Sequence, residues 1–179
     1  MSKKKYTFSQ LYNADLQRYS KKDGWFVRKL LKFFRLCQTS DGVLLHYYRW
    51  RFKKLKDKRF IEIYGKCDIG PGLYLGHVNC ITINAKARIG KNCNIHKGVT
   101  IGQENRGTKK GVPTIGDCVW IGVNSTIVGG IIIGNDVLIA PNTYVNCDVP
   151  SHSIVFGNPC IIKNKEGATD GYVNHKCDL

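Results

Sequence analysis

Five histidines punctuate this chain of 179 residues, and one of them, His77, stands where a strict spacing fails. Large aliphatic residues recur every six positions as far as Leu75, but two residues too many separate Leu75 from Ile83, and "LGHVNC" (75–80) fills the gap. An imidazole titrates near neutrality. Held at an outward corner, it can take the proton from a hydroxyl that is too weak a nucleophile unaided at pH 7. The plainer alternative is a polar turn residue without a role. Asn79 shares the break and is a candidate contact for an acceptor molecule, as is His96 in "NCNIHKGV", about one repeat turn further on. His96 serves equally well as surface decoration. A zinc site on a repeat of this kind needs two histidines five apart and a third nearby. The chain has no such pair, so no metal is expected. The eight cysteines form no CxxC pair, and several fall where the repeat calls for a small apolar side chain, which fits a reducing cytoplasm.

The repeat itself must position these groups. Ile63, Ile69 and Leu75, then Ile83, Ile89, Ile95 and Ile101, then Ile115, Ile121, Ile127, Ile133, Ile139 and Val145 are spaced by six without exception within each set. Glycine often follows, and a compact residue (Ala87, Cys93, Val99, Val119, Ser125, Thr143) often sits two positions before. A period of six suits neither a helix nor a two-sided sheet, whereas it suits a β-solenoid whose short strands stack coil on coil about 4.8 Å apart. A second break, "QENRGTKKGVP", separates Ile101 from Ile115 with eight extra residues. Both breaks are expected to bulge outward at corners.

Before the repeat the chain changes character. Residues 1–60 carry 17 Lys/Arg against four acids (Asp15, Asp23, Asp41, Asp57), and the remaining 119 residues carry 11 against 9. "WFVRKLLKFFRL" (25–36), with Trp25, Leu31 and Phe34 expected near one another, and "VLLHYYRWRFKK" (43–54) read as two helices, broken at "CQTSDG" with Ser40 or Asp41 as N-cap. Three regions follow: a basic helical segment (1–60), a mainly β solenoid (61–163) and a tail (164–179). The helices either pack their apolar side on the solenoid or also rest a basic rim on an anionic membrane surface. No apolar run is long enough to span a bilayer, "MSKKKYTFSQ" lacks the apolar core of a secretory signal, and no nucleic-acid-binding motif is present. A cytoplasmic protein, possible membrane contact aside, is expected.

The hexads "VTIG" and "VWIG" and the closing "DVPSHSIVFGNPC" resemble the left-handed β-helix acyltransferases over roughly residues 40 to 163, above all the serine acetyltransferases and related sugar O-acetyltransferases. The resemblance implies a left-handed parallel β-helix, a homotrimer, acetyl-CoA as donor and active sites in grooves between subunits. It makes His77 the general base and Glu62 of "IEIYG", fifteen residues earlier, its orienting carboxylate in place of the family's aspartate. It places Gly102 near the thioester, Gly122, Val123, Ala140 and Pro141 along the pantetheine arm, and Lys109, Lys110 and Lys163 near the phosphates. Trp120 reads as groove packing. The family's serine-binding acid and basic-His pair fall here on Gly76, Gly111 and Val112. The expectation is therefore a sugar O-acetyltransferase acting on a polysaccharide precursor, the alternatives being a serine acetyltransferase with an altered pocket or a catalytically silent trimeric scaffold.

Overall fold

The computed structural model describes residues 6–20 and 24–179; the start of the basic N-terminal stretch (1–5) and residues 21–23 lie outside it. Fifteen short strands, numbered in chain order, form three sheets. The first stacks β1 (Glu62–Ile63), β4 (Thr82–Ile83), β7 (Thr100–Gly102), β10 (Thr126–Val128) and β13 (Tyr144–Val145). The second stacks β2 (Asp68–Ile69), β5 (Arg88–Ile89), β8 (Thr114–Ile115) and β11 (Ile132–Ile133). The third stacks β3 (Tyr74–Gly76), β6 (Asn94–His96), β9 (Trp120–Ile121), β12 (Val137–Ile139), β14 (Ser153–Phe156) and β15 (Ile161–Asn164). All neighbours are parallel except β14 and β15. This is a left-handed parallel β-helix.

The six-residue spacing works because every hexad aliphatic points inward: all thirteen are buried, from Ile63 to Val145. The compact residues Ala87, Cys93, Val99, Val119, Ser125 and Thr143 are buried with them, so each coil closes on a dry interior. Register makes the breaks visible. Ile63 pairs with Ile83, Ile83 with Ile101, Ile101 with Ile127 and Ile127 with Val145, giving coils of 20, 18, 26 and 18 residues.

Three helices precede the coils: α1 (Phe8–Gln17), α2 (Trp25–Thr39) and α3 (Gly42–Lys56), with Asp41 as the N-cap residue of α3. They cover the open edge of the first coil, where strand amides and carbonyls would otherwise lack partners. Arg35 of α2 uses all five N–H groups: two on Asp15, one on Gln38 Oε1, and one each on the carbonyls of Ile69 and Gly70. Asp15 in turn accepts from the Leu73 amide, and the Tyr19 hydroxyl accepts from the Leu75 amide at 2.6 Å. Arg18 donates to Gly72 O, Asn94 Oδ1 and Asn174 O. Two of the arginines that made this segment look basic thus face the solenoid. α3 differs, exposing Val43, Leu44, Tyr47 and Trp50 beside Arg51 and Lys54. Trp25 departs from the expected cluster: it is 69% exposed while Leu31 and Phe34 are buried, because six helical residues carry a side chain about 120° around the axis.

The tail after β15 runs back along the coils. Asn92 and Asn94 bind main-chain groups of Cys177 and Tyr172. Asp136 accepts from the amides of Ala168 and Thr169 and from the Thr169 hydroxyl, with His152 Nδ1 2.9 Å away. Burial pushes the Asp136 carboxyl up, but the bonds from Thr169, His152 and Ala168 outweigh it and hold the group at about 2.

Candidate active site

At every corner leading from the third sheet back to the first, one residue adopts the left-handed conformation: Cys80, Gly98, Asn124 and Asn142. The two-residue bulge adds another at one corner only, and it is His77, with φ 51°. A side chain there turns out of the stack, at a cost that residues with a Cβ usually avoid. His77 is exposed while Leu75 and Gly76 beside it are buried. The break in the hexad rhythm thus presents a histidine to solvent where a regular hexad would have filled the interior.

His77 lines a cleft of about 490 Å³ with Tyr74, Val78 and Asn79 of its own coil and Lys97 of the next. The opposite wall comes from the helical segment: Tyr19, Phe26, Val27 and Arg59. Sequence reading missed this wall, although the apolar spacing of α2 already said that its inner face must cover something. The corners below and above are tied by main chain, Lys97 N to Gly76 O and Gly98 N to Asn79 O.

His96 sits one coil on, in direct register with Gly76. Its ring packs 4.6 Å from that of Trp120 and 6.3 Å from that of Tyr74, and Nδ1 lies 2.8 Å from the Ile121 carbonyl oxygen. Burial lowers its pKa; the bond to Ile121 opposes this and the nearby His77 adds to it. His96 lines an adjoining cleft of about 320 Å³ that includes Arg18, Asn94, Trp120 and Tyr172 and shares Tyr74 as a wall with the first.

The remaining sequence candidates divide by corner. Gly122, Val123, Ala140 and Pro141 follow β9 and β12 on the same corner column as His77, packed coil on coil through Gly122 N to Ile139 O and Asn142 N to Val123 O. Gly102, Lys109 and Lys110 lie on the next corner, from the first sheet to the second. There residues 103–112 form an arm closed by paired bonds between Glu104 and Gly111 and pinned by Gly130 N to Lys109 O. Glu62 lies on β1, exposed, in a third cleft of about 360 Å³ with Lys56, Thr82, Asn84 and Gly102. Within one chain no hydrogen bond joins Glu62 to His77. Lys163 lies on β15, 5.7 Å over the Phe156 ring. Among the described residues no cluster of metal-ligating side chains occurs, and all eight cysteines are free.

The chain has relatives among known proteins. Residues 113–147 match the bacterial transferase hexapeptide (six repeats) family. Serine acetyltransferase 4 of Arabidopsis thaliana is 40% identical over 99 residues, 55% of this chain and 28% of that protein. The serine acetyltransferase of Staphylococcus xylosus is 37% identical over 111 residues, 62% of this chain and 51% of that one. The chain therefore spans from about a quarter to half the length of these relatives. Among solved structures, the soybean serine acetyltransferase apoenzyme superposes with a TM-score of 0.70 at 24% identity, covering 88% of this chain and 69% of that one. The Neisseria gonorrhoeae serine acetyltransferase in complex with serine gives 0.67 at 27%, covering 87% and 69%.

The fold and the matched repeat make the chain similar to the left-handed β-helix, hexapeptide-repeat acyltransferases. Among the proteins of that class, it is the serine acetyltransferases that it resembles in these comparisons.

Proposed function

We propose that this chain transfers an acetyl group from acetyl-CoA to a hydroxyl of a small acceptor, with His77 as general base. The observation that carries the reading is the bulged corner, which turns one histidine out of an otherwise inward-facing repeat into a cleft. In the proposed reaction His77 takes the proton as the acceptor oxygen attacks the thioester carbonyl. The tetrahedral intermediate then expels the coenzyme A thiolate, and the proton returns to sulfur. The Gly102 N–H is proposed to face the oxyanion and Glu62 to orient the imidazole. Gly102 and the arm bearing Lys109 and Lys110 leave the coil at a different corner from His77. A groove between two copies of a trimer would bring the two corners together. Gly122, Val123, Ala140 and Pro141 would then border the pantetheine, with Lys163 a further candidate for the phosphates.

L-Serine is the first acceptor to try. The relatives named above are serine acetyltransferases, and the Neisseria structure holds serine, so a polysaccharide precursor no longer leads. One observation keeps a neutral sugar hydroxyl as a second reading: no acidic or basic side chain stands at Gly76, Gly111 or Val112 to hold a zwitterion. The test is release of free coenzyme A thiol from acetyl-CoA, scored with L-serine and with a panel of sugars and nucleotide sugars. Turnover of serine at least tenfold above every sugar supports the first reading, the reverse supports the second, and no turnover with any acceptor refutes acetyl transfer.

A further inference from the structure

Position 76 is empty of side chain, and the neighbouring coil occupies the vacated space. A Cβ built on Gly76 would lie 2.3 Å from His96 Cδ2 and 2.7 Å from His96 Nε2. The Nε2 edge of His96 therefore leans over the residue immediately before His77. The ring is held there on three sides: by Trp120, by Tyr74, and by the Nδ1 contact with the Ile121 carbonyl. A carbonyl oxygen can only accept, so Nδ1 carries the hydrogen, and in a neutral imidazole Nε2 is then a bare acceptor. Burial favours that neutral form. No described residue supplies a hydrogen bond to Nε2. A fixed, uncharged acceptor with no partner among the described residues thus borders the corner that presents His77.

The geometry points to His96 as a specificity-determining residue: its Nε2 receives a hydrogen bond from a donor group on the carbon next to the reacting hydroxyl of the acceptor molecule. The assignment rests on the acetyl-transfer reading above. It names a chemistry shared by two acceptors, since the ammonium of L-serine and the second hydroxyl of a vicinal diol in a sugar are both such donors. What the site would not bind well is an alcohol lacking that neighbour. His96 positions the acceptor and does not itself move the proton in this scheme. Simple packing, by contrast, would leave discrimination between these acceptors unaffected.

The experiment compares wild type with His96→Leu and His96→Asn, on L-serine against 3-hydroxypropionate and on methyl glucoside against its deoxy counterparts. His96→Leu should raise the KM for the donor-bearing acceptor, roughly three- to tenfold where the donor is a hydroxyl and more than about tenfold where it is an ammonium, whose bond is charge-assisted, with the KM for acetyl-CoA unchanged. His96→Asn, which keeps an acceptor oxygen, should recover part of that loss, and the truncated acceptor should not distinguish the variants. Which acceptor pair responds tells ammonium from hydroxyl. Proton–nitrogen correlation spectra of the free protein should show His96 protonated at Nδ1. A proton on Nε2, or an equal penalty on full and truncated acceptors, would overturn the assignment while leaving acetyl transfer intact. No turnover by wild type on any acceptor would overturn acetyl transfer first, and the assignment with it.

Discussion

Replacing Arg35 with methionine removes the guanidinium that joins α1, α2 and the first coil. All five of its N–H groups are engaged, at 2.6–2.7 Å, and both it and Asp15 are fully buried. The variant leaves the Asp15 carboxyl buried with the Leu73 amide and without its counterion, and leaves the Ile69 and Gly70 carbonyls short of a donor. Breaking a buried pair from one side costs about 3–5 kcal/mol. Asp15, whose pKa burial already raises against the pull of Arg35, will protonate more readily and keep the loss within that range. Removing both partners (Asp15→Leu with Arg35→Met) should cost less than the two single losses added, because no charge is stranded. It should still fall short of wild type, because the Gly70 carbonyl loses its donor and Ile69 O keeps only the long bond from Gln38 Nε2. Urea denaturation followed by far-ultraviolet circular dichroism gives the loss, and faster exchange of the Leu73 amide localises it to the first coil. Phe26 and Val27 on α2 wall the His77 cleft, so the acceptor KM should rise as well. A loss below about 1 kcal/mol for Arg35→Met would refute the view that this arginine fixes the helices to the solenoid.

Other outcomes follow from particular groups. His77→Ala should cut coenzyme A release by roughly 10²–10⁴ while leaving the circular dichroism spectrum unchanged, and near-wild-type activity would remove His77 from the mechanism. Burial pushes the Cys93 thiol up to about 12, against 9.0 for the free group. Its contribution to stability is therefore complete below pH 9 and lost as pH rises from 9 towards 12, and Cys93→Ala should flatten that alkaline fall in melting temperature. Asp136, held at about 2 against 3.8, works in the opposite sense: its contribution is complete above pH 3.8 and lost as pH falls towards 2. Asp136→Ala should free the segment around Ala168 and Thr169 to a protease at neutral pH, seen as early cleavage there. Active protein should sediment as a trimer at micromolar concentration, and an active monomer would rule out a groove between copies as the site.

The solenoid was legible because its period is carried by side-chain type: an aliphatic every six residues can only pack one way. The helices α2 and α3 were legible too, from apolar spacing and the stop at "TSDG". α1 was not, although Thr7 and Gln10 form a capping box, because one of its three buried residues is Asp15. A buried carboxylate reads as surface until its arginine, twenty residues away, is known. The path of the tail was illegible for a different reason. Asn92, Asn94, Arg18 and Gln17 grip the main-chain groups of Cys177, Tyr172, Asn174 and Lys176, which every residue type offers alike. At the site, the bulge announced His77, whereas the orientation of His96 depends on the register of β6 with β3, and sequence spacing gave that only as "about one turn".

A solenoid in which each coil touches only its neighbours can, in principle, be laid down from one end as it leaves the ribosome. Here Arg18 donates both to Gly72 in the first coil and to Asn174, 156 residues further along the chain. During synthesis the growing stack therefore waits with one seam open near its start, and that seam closes only after the whole repeat has been made. Assembly by stacking is local, but completion is a long-range event. A chain interrupted before residue 174 would keep its hexads and lose the latch.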